Sequence, residues 1–122
     1  MKPRVLFLDD EEPMRALFSD YFRQNGCEVA TAATGREALE LAKQVQFDVA
    51  VFDIRIAGEN GLEVLSHFKN CFPKLPIIMF TGIAVDDDLV EQARLRGASG
   101  FMRKIDPLDD LFDAVKLYIP PP

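Results

Sequence analysis

Val5-Leu6-Phe7-Leu8-Asp9-Asp10-Glu11 runs four apolar residues directly into three acids. The apolar part is too short for a helix and lacks the alternation of a strand with one wet face. A strand covered on both sides by helices, as at the centre of a parallel sheet, is apolar throughout. Val49-Ala50-Val51-Phe52 and Ile77-Ile78-Met79-Phe80 repeat the form. Glu28 to Ala32 and Gly100 to Arg103 are less apolar, as expected of strands nearer the edges.

Helical spacing fills the intervals. Met14, Leu17, Phe18, Tyr21 and Phe22 make one apolar stripe, opened by Pro13 in the first turn and stopped by Asn25-Gly26. Thr34-Gly35-Arg36-Glu37 is a capping box before Ala38, Leu41, Ala42 and Val45. Asn60 caps a third helix carrying Leu62, Leu65 and Phe68. A fourth starts near Asp86-Asp87-Asp88 and ends near Arg94, Arg96 and Gly97, a charge order that suits the helix dipole. Asp106-Pro107 opens a fifth, with Leu108, Leu111, Phe112 and Val115 inward. Five βα units predict an α/β fold of three layers, doubly wound around a five-stranded parallel sheet. Strand order does not follow from the pattern.

The length of 122 residues suits one domain, expected over residues 1–119, with Pro120-Pro121-Pro122 as a stiff end or the start of a linker. A hydrophobic content of 48% argues for a folded, soluble chain, and no apolar run is long enough to span a bilayer. The start lacks the features of a signal peptide and reads as mature protein. The net charge of −6, without a basic cluster, disfavours direct nucleic-acid binding by this segment. Cys27 and Cys71 have no metal-ligand spacing and are expected as buried or half-buried free thiols in a reducing cytosol. His67, the one histidine, falls on the third helix away from any strand end and is expected to be solvated or packed, not catalytic.

Open α/β sheets bind ligands beyond the carboxyl ends of their strands. Beyond the first apolar run stand Asp9, Asp10 and Glu11; beyond the third, Asp53; beyond the fourth, Thr81 and Gly82; beyond the fifth, Lys104. Crowded carboxylates repel unless a cation compensates. Mg²⁺ suits such a site, because it keeps several waters and takes one or two carboxylates plus phosphate oxygens. A carboxylate nucleophile, a hydroxyl and an ammonium then supply what phosphoryl transfer requires. Glu11 and Glu12 read more simply as acids at a helix start.

Taken together, Val5 to Glu11, Asp53-Ile54-Arg55-Ile56-Ala57-Gly58-Glu59-Asn60-Gly61, Phe80-Thr81-Gly82, Gly97-Ala98-Ser99-Gly100-Phe101 and Lys104 resemble the receiver domains of two-component response regulators. The resemblance spans essentially the whole chain. It implies the flavodoxin-like strand order 2-1-3-4-5, for which a receiver is a standard example. It also implies that Asp53 is the phosphoacceptor in a cytoplasmic signalling domain, one that is not itself an enzyme but assists its own phosphorylation and dephosphorylation. Asp10, Asp53 and the Arg55 backbone carbonyl would hold Mg²⁺, and Asp9 a metal-bound water. Thr81 and Lys104 would bind the phosphoryl group, Phe101 would be the switch aromatic, and Gly82 would keep the site accessible. The implied partners are a sensor histidine kinase or phosphotransfer protein. A homodimer or effector domain would use the face of the fourth helix, fifth strand and fifth helix, including parts of Ala84 to Arg96 and Asp106 to Tyr118.

Two departures stand out. Ile105 follows Lys104 where the family usually has a cis-linked Pro. A cis bond before a non-proline residue costs about 3–4 kcal/mol, so a trans bond is expected. Ile56-Ala57 replaces a frequent Met-Pro and should loosen that loop modestly. Two alternatives are a haloacid dehalogenase-like phosphatase and a pseudo-receiver that binds partners without phosphorylation. Against the first, Asp9 is followed two positions on by Glu11, and Asp10 by Glu12, where those enzymes carry a second Asp. Against the second, no Asp, Thr or Lys is missing.

Overall fold

A computed structural model describes residues 2–56, 58–82 and 86–119. In chain order the elements are β1 (Arg4–Leu8), α1 (Glu12–Gln24), β2 (Glu28–Ala32), α2 (Gly35–Gln44), β3 (Val49–Phe52), β4 (Arg55–Ile56), β5 (Glu59–Asn60), α3 (Gly61–Cys71), β6 (Ile77–Thr81), α4 (Asp87–Leu95), β7 (Gly100–Arg103) and α5 (Leu108–Lys116). The main sheet has the order β2-β1-β3-β6-β7, every neighbouring pair parallel. Counted among its own strands, that is 2-1-3-4-5. β4 and β5 form a separate antiparallel hairpin, pairing Arg55 with Asn60 and Ile56 with Glu59. Two-residue strands carry no periodicity, and sequence reading did not anticipate them.

The continuous apolar runs are explained by burial on both faces. Val5 and Phe7 of β1 join Phe18, Phe22, Leu111 and Val115 in a core against α1 and α5. Leu6 and Leu8 face the opposite way, into a core with Leu62, Leu65 and Phe68 of α3 and Ala93 of α4. Alternation of side chains across the strand therefore divides one apolar run between two cores. On the first side the Phe7, Phe18 and Phe22 rings are stacked, with centroids 3.9 and 4.0 Å apart. Each fully buried side chain of this size contributes about 1.5–3 kcal/mol of burial free energy.

Helix ends follow the sequence signals. Thr34 accepts from the Glu37 amide at 3.1 Å, Asn60 from the Leu62 amide at 2.9 Å, and Asp86 from the Leu89 amide at 2.8 Å. Each satisfies a helix N–H that has no partner within its own helix. Gly26 and Gly97 end α1 and α4 with φ of +91° and +104°, a region glycine enters without steric penalty. No cis peptide bond occurs among the described residues, so Lys104–Ile105 is trans as expected, and the Ile105 side chain is 78% exposed.

One expectation needs correction. Both cysteines are free, but only Cys27 is buried; Cys71 is exposed, because the last turn of α3 turns it outward. His67 is exposed one turn earlier, its Nε2 3.8 Å from Cys71 Sγ. The loosening expected at Ala57, the Ala84–Val85 part of the expected output face, and Pro120 to Pro122 lie outside the described residues.

Candidate functional site

Main-chain bonds of the sheet run on past the strand ends and fix the residues that follow. The Asp9 amide donates to the Ala32 carbonyl at 3.1 Å, the Asp53 amide to the Leu8 carbonyl at 2.9 Å, and the Lys104 amide to the Thr81 carbonyl at 2.8 Å. Three separate segments thus deliver their side chains to one rim, and a fourth adds the Gly82 backbone. There an open cleft of about 480 Å³ is lined by Asp10, Glu11, Asp53, Arg55, Ile56, Gly82 and Lys104.

Lys104 stands at the centre of the charges. Its Nζ lies 2.7 Å from Asp9 Oδ2, 3.0 Å from Asp53 Oδ2 and 3.1 Å from Glu11 Oε1. Asp9 and Asp53 are buried, whereas Asp10 and Glu11 are exposed. Burial alone would lower the Lys104 pKa, but the close approach and charge of Asp9 and Asp53 outweigh it and hold the ammonium above its ordinary value. For Asp53 the balance is reversed. Burial raises its carboxyl above the ordinary range, offset only in part by the bond and charge of Lys104 and by the Arg55 amide, while the Asp9 charge adds to the rise.

The remaining contacts orient the acids. Asp9 Oδ1 accepts from the Glu11 amide at 2.9 Å, and the Asp9 carbonyl accepts from Arg15 Nη1 at 2.9 Å. Asp53 Oδ1 accepts from the Arg55 amide at 3.2 Å. One carboxylate oxygen from each of Asp9, Asp10, Glu11 and Asp53 lies within 4.8 Å of the others. Asp9 Oδ2 is buried with no aligned hydrogen-bond donor, its contact with Lys104 being an ion pair off the bonding direction. Hard, crowded, incompletely compensated oxygens are the donor set of a hard divalent cation. The residues present fit such an ion.

Thr81 ends β6 fully buried. A Cβ on Gly82 would lie 3.4 Å from Lys104 Cδ, an ordinary contact, so larger side chains there would begin to cover the lysine. Phe101 is not among the cleft residues. It pairs in register with Met79 and is half-buried against the core on the α2–α4 side, the same core that Leu89 and Ala98 pack against.

Two residues matter more than the sequence suggested. Glu11 occupies the N-cap of α1 without making a side-chain cap, and its carboxylate turns to Lys104 instead. An acid at a helix start looks the same in sequence whichever partner it takes. At Gly61 a Cβ would come within 2.4 Å of the Asp53 carbonyl oxygen and 2.5 Å of Ile54 Cα, so the chain packs backbone to backbone here. The available signal was a poor helix former at the first position of α3.

Known proteins are similar to this chain in sequence and fold. Residues 5–116 match the response regulator receiver domain family. Sporulation initiation phosphotransferase F of Bacillus subtilis is 29% identical over 98% of this chain and 96% of its own length. Transcriptional regulatory protein PdtaR of Mycobacterium tuberculosis is 32% identical over 95% of this chain, which spans only 56% of that protein. The solved structure of chemotaxis protein CheY4 of Vibrio cholerae superposes with a TM-score of 0.91 at 28% identity, covering 97% of this chain and 99% of that one. The chain belongs to the response regulator receiver domain family.

Proposed function

We propose that this receiver domain accepts a phosphoryl group on Asp53 in an Mg²⁺-dependent reaction and passes the change to a partner surface. The observation that carries the proposal is the Lys104 ammonium, held within 3.1 Å of three carboxylates at the mouth of a cleft with four clustered acid oxygens. Family membership sets the phosphatase alternative aside.

Asp10, Asp53 and the Arg55 carbonyl would hold the ion, with Asp9 bonding one of its waters. When bound, Mg²⁺ neutralises charge on the phosphoryl oxygens and on the acids around them. The protein's own groups do the rest. An Asp53 carboxylate oxygen attacks phosphorus, and the bond from phosphorus to the donor's nitrogen or oxygen breaks, leaving the electron pair on the donor. The Lys104 ammonium, already beside Asp53, offsets the charge that arrives, and the Thr81 hydroxyl donates to a phosphoryl oxygen. Gly82 leaves the approach open, and Phe101, half-buried rather than locked in the core, repacks as Thr81 moves. The domain assists its own phosphorylation without being an enzyme acting on a separate substrate.

The donor is a sensor histidine kinase, a phosphotransfer protein or a small acyl phosphate, and the setting is cytoplasmic. Among the described residues no helix is long and apolar enough to cross a membrane. The receiver spans residues 1–119, with Pro120 onward as an end or linker. Output to a second copy or an effector domain runs through the face of α4, β7 and α5.

Adding beryllofluoride and Mg²⁺ tests the site, because this acyl-phosphate mimic needs both the acids and the ion. Backbone amide resonances of Asp53, Thr81 and Lys104 should shift together. A spectrum unchanged by both additions would favour the phosphorylation-independent alternative.

A further inference from the structure

The β4–β5 hairpin follows directly on Asp53 and carries Arg55, whose amide bonds the Asp53 carboxylate. A hairpin with two residues per strand cannot hold itself in place, since isolated two-stranded ribbons are marginal even when longer. Something outside must fix it.

We propose that Glu59 is the positioning residue that locks this hairpin, and with it Arg55, against the N-terminus of α2. Glu59 Oε1 accepts from the Gly35 amide at 2.8 Å, across 24 positions of sequence. The donor is the first amide of α2, one of the helix N–H groups without an intrahelical partner, at the end where the dipole favours a carboxylate. Thr34, the N-cap residue, accepts from the Glu37 amide instead. Glu59 sits opposite Ile56 in the hairpin register, and the neighbouring pair is Arg55 with Asn60. One carboxylate therefore ties the strand pair that carries Arg55 to a helix anchored in the main core.

The other side of the contact is shaped to admit it. A Cβ on Gly35 would stand 2.7 Å from Glu59 Oε2 and 3.0 Å from Val64 Cγ2. Any larger residue at position 35 displaces the carboxylate, the flexible member of that trio. The approach of Glu59 and Val64 leaves no room for a Cβ at position 35, which only glycine satisfies.

This inference rests on the proposed Mg²⁺ role of the Arg55 carbonyl, so its test has two readouts. The first is amide hydrogen exchange across residues 55–60 in metal-free protein; the second is Mg²⁺ affinity by titration. Glu59→Ala should speed exchange in the hairpin, leave the five-stranded sheet protected, and weaken Mg²⁺ binding about tenfold, in the range expected when a group supporting a metal ligand is lost. Gly35→Ala should do the same from the opposite side. The double variant should be no worse than either single, because both remove one contact. Glu59→Gln, which keeps an acceptor oxygen, should recover most of the affinity. The proposal is overturned if Glu59→Ala leaves hairpin exchange unchanged, if the effects of the two alanines add, or if Glu59→Gln is as impaired as Glu59→Ala. Should the unsubstituted protein bind no Mg²⁺, the metal reading fails while the exchange data still decide the tie.

Discussion

Lys104 Nζ and Asp53 Oδ2 are 3.0 Å apart although 51 residues separate them in sequence. Each is held by a main-chain bond to a neighbouring strand, Asp53 to Leu8 and Lys104 to Thr81, so the pairing is set by the sheet and not by the loops. The relationship is also under tension, since one ammonium serves three carboxylates and the fourth acid of the cluster stands beside them.

That tension has a sign. Burial leaves the folded-state pKa of Asp53 above its ordinary value despite Lys104. The folded state therefore holds the proton more tightly than the unfolded chain. Its stabilising effect is complete below the unfolded pKa and is lost as pH rises through the folded one. At neutral pH, without Mg²⁺, the ionised Asp53 costs stability. Urea unfolding in the presence of a chelator should show Asp53→Asn more stable than the unsubstituted protein at neutral pH. The advantage should shrink on acidification toward the ordinary carboxylate range, about pH 4. A variant no more stable at neutral pH would contradict this electrostatic account.

Gly82 lines the cleft, whereas Gly61 packs against the Asp53 and Ile54 backbone, and the two differ in tolerance. Alanine at 61 drives a methyl into the Asp53 and Ile54 backbone, which has no flexible end to give. Gly61→Ala should cost about 1–3 kcal/mol, as overpacked sites do, and weaken Mg²⁺ binding through the displaced Asp53. Gly82→Ala meets only Lys104 carbons at 3.4 Å or more and should stay within about 0.5 kcal/mol. Chemical unfolding of the two variants decides between them.

The thiols give a check on packing away from the site. Cys27 is buried, with its pKa raised first by that burial and then by the charge of Asp48, while Cys71 is exposed. A disulfide reagent should modify one thiol per native molecule, at Cys71, and both after denaturation. Two rapid equivalents in the native state would show that the core beside α1 is not closed.

Much of this was legible in sequence, for identifiable reasons. Val5 to Leu8 and Ile77 to Phe80 declared central strands because burial on both faces leaves no polar alternation to confuse the reading. Asp9, Asp53, Thr81 and Lys104 followed, because a strand end fixes where the next side chain stands. Contacts made through loops were hidden. Glu59 reaches Gly35, and Gly61 packs on Asp53, only once the hairpin has folded back, and no local pattern encodes that return. Glu11 was hidden differently, since a helix dipole and a lysine ask for the same charge. The exposure of Cys71 was hidden too, because an apolar residue at a helix end carries no sign of which way the last turn faces.

Incubation with acetyl phosphate and Mg²⁺, followed by intact mass, tests the central claim most directly. The unsubstituted protein should gain one phosphoryl group, lose that gain when a chelator replaces Mg²⁺, and show none in the Asp53→Asn variant. Equal modification of Asp53→Asn, or none in the unsubstituted protein, would contradict Asp53 as the acceptor.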